Sequence, residues 1–120
     1  MSKRLYTPEH VWIEPLEDGT LLVGITPYAG VSGNLEALKP ASTTDVIPPN
    51  TPICTLETNK CSYEIQLPFP SNLLNLNPDM LTSSPNMLAM DNWLCKISPA
   101  KANWMAELIS LDEYMKLVEV

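Results

Sequence analysis

Proline limits what this chain can become more than any other feature: twelve prolines, against only four glycines, are scattered among short segments of alternating or β-rich character. A proline inside a helix removes a hydrogen bond and clashes with the preceding turn, whereas strand ends and turns accept it. The pattern is that of many short strands joined by turns, so an all-β domain is expected. At 120 residues the chain holds material for one core, and a single domain over residues 1–120 follows.

The apolar fraction of 45% and charged fraction of 18% are those of an ordinary globular protein. No apolar run approaches the ~18 residues of a membrane span. The start Met1-Ser2-Lys3-Arg4 runs into Leu5-Tyr6-Thr7-Pro8-Glu9 without the apolar stretch of a secretion signal. A cytoplasmic protein with no membrane partner is therefore expected. The formal charge of −7 repels phosphate backbones, which makes nucleic acid an unsuitable partner and basic docking faces suitable ones.

Cys54, Cys61 and Cys95 are odd in number and form no C-x-x-C pair, so neither a disulfide framework nor a zinc site is supported. His10 is the one histidine, and no G-x-S-x-G motif accompanies it. Hydrolytic catalysis of the Ser-His-Asp or Cys-His kind has nothing to build on, and His10 reads as a strand or edge residue.

Trp12 and Ile13, the Asp18-Gly19 turn and the returning Leu21-Leu22-Val23-Gly24-Ile25 make an early hairpin. Thr26-Pro27 then suits the start of a short helix through Tyr28 and Ala29. A strand from Leu35 to Pro40 and a proline-rich turn from Asp45 to Pro52 follow. In the centre, Tyr63, Ile65 and Leu67 alternate with Ser62, Glu64 and Gln66, while Cys54 and Leu56 face inward on the preceding arm. Antiparallel partners about one turn have a constant sum of residue numbers. Pairing Leu56 with Tyr63 and Cys54 with Ile65 therefore centres the turn between Asn59 and Lys60, with Asn59 able to take a positive φ. Lys60 is expected at a hairpin tip.

Leu73-Leu74-Asn75-Leu76 and Trp93-Leu94-Cys95-Lys96-Ile97 read as further strands, with Asn77-Pro78 and Ser84-Pro85 as caps of short helical turns between them. From Ala102 the tail reads as helix with a stripe of Trp104, Leu108, Leu111, Met115 and Val118. Ser110-Leu111-Asp112-Glu113 offers a capping box that would break it in two. The stripe is read as a face that docks on the β core.

Tyr6-Thr7-Pro8-Glu9-His10-Val11-Trp12-Ile13 resembles the opening signature of glycine cleavage H-proteins. Asp18-Gly19, Val23-Gly24-Ile25-Thr26-Pro27-Tyr28-Ala29, Gly33-Asn34, Glu57-Thr58-Asn59-Lys60 and Trp93-Leu94-Cys95-Lys96-Ile97 follow in family order. The tetrad E-x-x-K alone is common, and the ordered blocks carry the specificity. The resemblance implies a flattened, lipoyl-domain-like barrel or sandwich of two antiparallel sheets, with a short helix after the first hairpin and a C-terminal helical extension. It also implies a non-catalytic carrier with lipoic acid joined to Lys60 by an amide, attached by a lipoate ligase or an octanoyl transferase, and Glu57 as a mark read by that enzyme. Its partners would be the glycine decarboxylase P-protein, the aminomethyltransferase T-protein and dihydrolipoyl dehydrogenase. A surface groove beside the hairpin would shelter the aminomethyl-loaded arm from water.

The chain departs from the family pattern at Asn50, where the family has glycine; at Pro68-Phe69-Pro70-Ser71, in place of a glycine-containing turn; and at Met90-Asp91-Asn92, in place of a glycine-rich acidic loop. Cys61 stands where the family usually has alanine and reads as a small residue flanking the turn, the other reading being a thiol that exchanges with the dithiolane. Two other functions stay open at this point: a lipoyl carrier or relay for another lipoate-dependent system, and an unmodified interaction module.

Overall fold

The computed structural model describes residues 4–29, 35–41, 45–77 and 93–118. Among these residues, eight strands form two antiparallel sheets. The larger has the order β1 (Leu5–Tyr6), β2 (Val11–Pro15), β3 (Leu21–Ile25), β8 (Cys95–Pro99), β7 (Ser71–Leu76); the smaller is β4 (Leu35–Pro40), β5 (Pro52–Thr58), β6 (Ser62–Gln66). The two sheets remain separate rather than closing into a barrel, which selects the sandwich form of the expected fold.

Buried residues of both sheets share one core: Val11, Ile13, Val23 and Ile97 from the larger, Ile53, Leu56 and Ile65 from the smaller. Each of these side chains contributes about 1.5–3 kcal/mol by leaving water. Cys54 and Cys95 meet across the sheets. The bond to Cys54, together with full burial, holds the Cys95 thiol well above its ordinary range, so it stays protonated and inert.

The first hairpin turns as its residues suggest. Gly19 takes φ 88° and the Asp18 carboxylate accepts from the Thr20 amide and hydroxyl, which lowers the Asp18 pKa. The expected helix after β3 is a single 3-10 turn, Pro27–Ala29, closed by the Ala29 amide on the Thr26 carbonyl. Asn50 has φ 61°, the left-handed backbone that a glycine would occupy. The last strand begins and ends two residues later than its expected span. Gly33-Asn34, Ser84-Pro85 and Met90-Asp91-Asn92 lie outside the described residues, as does Pro78 of the Asn77-Pro78 pair.

The tail divides where the capping box sits. A 3-10 turn, Trp104–Glu107, and α1 (Leu111–Val118) are separated by Ile109, which bridges to Tyr6 on the edge strand β1. The Ser110 hydroxyl accepts from the Glu113 amide while Glu113 Oε1 accepts from the Ser110 amide and hydroxyl. Of the expected stripe, Trp104 and Leu108 pack against the core, but Leu111 is 47% exposed and the buried residue of α1 is Tyr114. With Ile109 held as a bridge, the helical phase restarts at Ser110 and turns Tyr114, rather than Leu111, onto the sheet.

Tyr114 packs with Tyr6 and so covers the outer face of the larger sheet, where Tyr6, Trp12 and Gly24 lie side by side in register. Arg4 stacks on the Trp12 ring at 3.7 Å and pairs with Glu14 at 3.1 Å. A Cβ on Gly24 would stand 2.3 Å from Trp12 Cε2. Gly24→Ala is expected to destabilise the fold by about 1–3 kcal/mol through overpacking, read as a lower urea midpoint with unchanged slope.

Candidate functional site

The site is built on the central hairpin. β5 and β6 pair Cys54 with Ile65 and Leu56 with Tyr63, the register the inward residues require. A bulge between Pro52 and Cys54 then lets Ile53 and Cys54 both turn inward. Leu56 and Ile65 have no exposed surface, so the root of the hairpin is locked in the core while its tip projects.

At the tip, the Thr58 amide donates to the Cys61 carbonyl at 2.8 Å. The positive φ that Asn59 is able to take is not used: His10 and Asn50 are the non-glycine residues with positive φ among those described. Thr58 does the work instead. Its Oγ1 accepts from the Lys60 amide at 3.1 Å and the Cys61 amide at 3.0 Å, a side-chain cap that stabilises an ordinary right-handed turn. Lys60 is exposed at the bend and forms no ion pair among the described residues. Its neighbour Cys61 is half-buried, with Sγ 3.5 Å from Thr58 Oγ1. Glu57, two positions before the turn, points away from the core and pairs with Lys39 at 3.2 Å. That pair is solvent-exposed and worth no more than about 1 kcal/mol, so the carboxylate remains open to a partner.

Beside the hairpin, along the edge strand β6, runs an open groove of about 470 Å³ lined by Glu9, Val11, Ser62, Tyr63, Glu64 and Gln66. It begins two residues beyond Lys60 and follows β6 for about 13 Å at the ordinary strand rise. Val11 lies at its floor with its side chain in the core, and the exposed Glu9 and Glu64 supply carboxylates. Tyr63 ties the walls together, its hydroxyl donating to the Glu9 carbonyl at 2.7 Å. Burial and the nearby Glu9 carboxylate raise the Tyr63 pKa, so this donor stays protonated at neutral pH. Sequence reasoning did not identify Glu9, Tyr63 or Glu64 as lining residues, because their meeting spans more than fifty positions.

His10 is neither on a strand nor beside a catalytic partner. It occupies the turn between β1 and β2 with φ 72°, and its Nδ1 lies 2.7 Å from the Tyr114 hydroxyl. A left-handed histidine costs about 1–2 kcal/mol, which the surrounding bonds offset.

With this geometry in place, comparison with known proteins decides the family. The family model described as glycine cleavage H-protein matches residues 4–120. The chain belongs to the glycine cleavage H-protein family. It is 34% identical to the glycine cleavage system H protein of Ralstonia nicotianae, over 91% of this chain and 88% of that one. It is 28% identical to the protein of the same name from Paraburkholderia xenovorans, over 94% and 92%. The fold matches the crystal structure of a glycine cleavage system H protein from Mycobacterium marinum with a TM-score of 0.76, at 20% identity and 98% coverage of both chains. Among the described residues of this H-protein family member, no helix is long and apolar enough to cross a membrane, and no cluster of metal-ligating side chains occurs.

Proposed function

We propose that this chain is the lipoyl carrier of a glycine cleavage system, a single cytoplasmic domain over residues 1–120 that carries lipoic acid on Lys60 and catalyses no step itself. The observation that supports this most is the placement of the Lys60 amine: exposed, at the bend of a hairpin whose two arms are anchored by buried Leu56 and Ile65. A lipoate ligase or octanoyl transferase must hold one amine in attacking geometry, and a rigid tip presents it with little conformational search. The fit is chemical as well: an exposed primary amine accepts the acyl group and loses its charge on becoming an amide, leaving a tethered dithiolane.

When attached, lipoic acid supplies a dithiol that is loaded, unloaded and reoxidised. The chain's own residues present it and shelter it. Lys60 holds the arm, the half-buried Tyr63 ring offers apolar surface in the groove, and Glu9 and Glu64 favour a cationic load such as a protonated aminomethyl group. The partners on this reading are the glycine decarboxylase P-protein, the aminomethyltransferase T-protein and dihydrolipoyl dehydrogenase. The shared name of the relatives favours this over a relay for another lipoate-dependent system.

Intact-mass measurement after co-expression with a lipoate ligase is the test. The mass is expected to rise by one lipoyl group in the native chain and to stay unmodified in Lys60→Ala. Modification of Lys60→Ala, or none of the native chain, sinks the proposal. Glu57→Gln is expected to slow the modification about 3- to 10-fold, the effect of losing one charge-assisted contact, with stability within about 0.5 kcal/mol of native. An unchanged rate removes Glu57 from the recognition surface.

A further inference from the structure

The turn from Thr7 to Val11 is gripped at two adjacent residues, Glu9 and His10, by hydroxyls from distant parts of the chain. On one side the Tyr63 hydroxyl donates to the Glu9 carbonyl, closing the groove beside the lipoylation hairpin. On the other, the next residue, His10, meets the Tyr114 hydroxyl at 2.7 Å, and the Tyr114 oxygen is in turn 2.6 Å from Thr26 Oγ1. Tyr114 is 1% exposed and stacks on Tyr6, with ring centroids 4.9 Å apart. The gripped turn is left-handed at His10, so unaided it would relax toward ordinary backbone. Its other bonds run within the turn and to the residue after β3: the Thr7 amide donates to the Val11 carbonyl, the His10 amide to the Thr7 carbonyl, the Glu9 and Val11 amides to Thr7 Oγ1, and the Thr26 amide to the His10 carbonyl.

We infer that Tyr114 is a positioning residue for the groove: through His10 it holds the Thr7–Val11 turn, and with it the Glu9 rim, against β6, so the groove's fit depends on the docking of α1. Strain of this kind persists where surrounding contacts over-determine it, and here the contact on the His10 side chain comes from the one buried residue of the C-terminal helix. The consequence for function rests on the reading that the loaded arm shelters in this groove. A looser Glu9 rim admits water to the carbon–sulfur bond. Hydrolysis there takes one water, returns the thiol, and releases formaldehyde and ammonia.

Two variants isolate the link. Tyr114→Phe keeps the ring on Tyr6 and removes the hydroxyl. His10→Asn removes the imidazole while retaining a residue that accepts left-handed φ and leaves the Tyr114–Thr26 bond in place. In the unmodified chain, each is expected to speed hydrogen exchange of the Thr7 amide about 3- to 10-fold, the range of one lost hydrogen bond. The Leu94 amide, bonded to the Val23 carbonyl, should not change, whereas general loosening of the fold would move both. The double variant should exceed neither single one by more than about 2-fold, since both cut the same link. In the lipoylated chain, reduced and loaded with formaldehyde and ammonia, formaldehyde release should accelerate at least about 2-fold in each variant. Unchanged Thr7 exchange overturns the inference while leaving the carrier reading intact. Faster Thr7 exchange without faster formaldehyde release, in these variants and in Tyr63→Phe, overturns the sheltering role of the groove and the inference with it.

Discussion

Insertion of one glycine between Asn59 and Lys60 is expected to lower the rate of lipoylation by about 100-fold or more while leaving the fold in place. The strands need not shift, because Cys54 with Ile65 and Leu56 with Tyr63 are set by burial on both arms, and a one-residue slip would expose the whole inward set. The extra residue is instead absorbed at the tip, where the Thr58 hydroxyl can no longer accept from both following amides in the same geometry. The lysine moves by several ångströms relative to Glu57, and a misplacement of about 1 Å already costs on the order of 100-fold in a reaction that depends on orientation. Loss of about 1 kcal/mol of stability is expected from the weakened cap. Time-resolved intact mass with a purified lipoate ligase reads the rate, and urea unfolding reads the stability. A rate within 3-fold of native would mean that the enzyme follows the lysine wherever the chain carries it, and that hairpin geometry is not what it recognises.

The parts of this site that the sequence discloses are those governed by short-range periodicity. Alternation of Tyr63, Ile65 and Leu67 with polar neighbours names one face of β6, and a constant pairing sum then locates the turn, so Lys60 could be placed at the tip before any coordinates. The kind of turn could not be placed that way: asparagine at 59 permits positive φ without requiring it, and what decides is the Thr58 side chain filling the role of a backbone acceptor. Long-range meetings are less legible still. Tyr63 with Glu9, and Tyr114 with His10 and Thr26, join positions separated by 54, 104 and 88 residues. Helical spacing places Leu111 in the docking stripe with Trp104 and Leu108. A single bridge at Ile109 was enough to reset the phase. The one available signal was Gly24 opposite Trp12 in the hairpin register, a pairing that leaves room for a buried indole and marks the outer face as covered rather than wet.

Leu56→Ala tests the opposite half of the argument, with the tip untouched and its root cut. Leu56 is fully buried at the centre of the smaller sheet, between Leu38 on β4 and Tyr63 on β6. Deleting such a side chain removes its transfer energy and leaves a cavity, for a loss of about 2–5 kcal/mol. Set against a total stability of about 5–15 kcal/mol, that is a large fraction, equivalent to a fall in the thermal midpoint of about 10 °C or more. Even so, a chain that retains about 3 kcal/mol is more than 99% folded at 25 °C. The Thr58 cap and the Cys54–Ile65 pair remain to hold the turn, so the lipoylation rate at 25 °C should stay within about 3-fold of native. The two variants together form a double dissociation: the insertion costs little stability and slows modification severely, and the truncation does the reverse. Should Leu56→Ala lose modification as completely as the insertion while its circular dichroism remains native, presentation of Lys60 would depend on the tension of the whole sheet and not on the geometry of its tip.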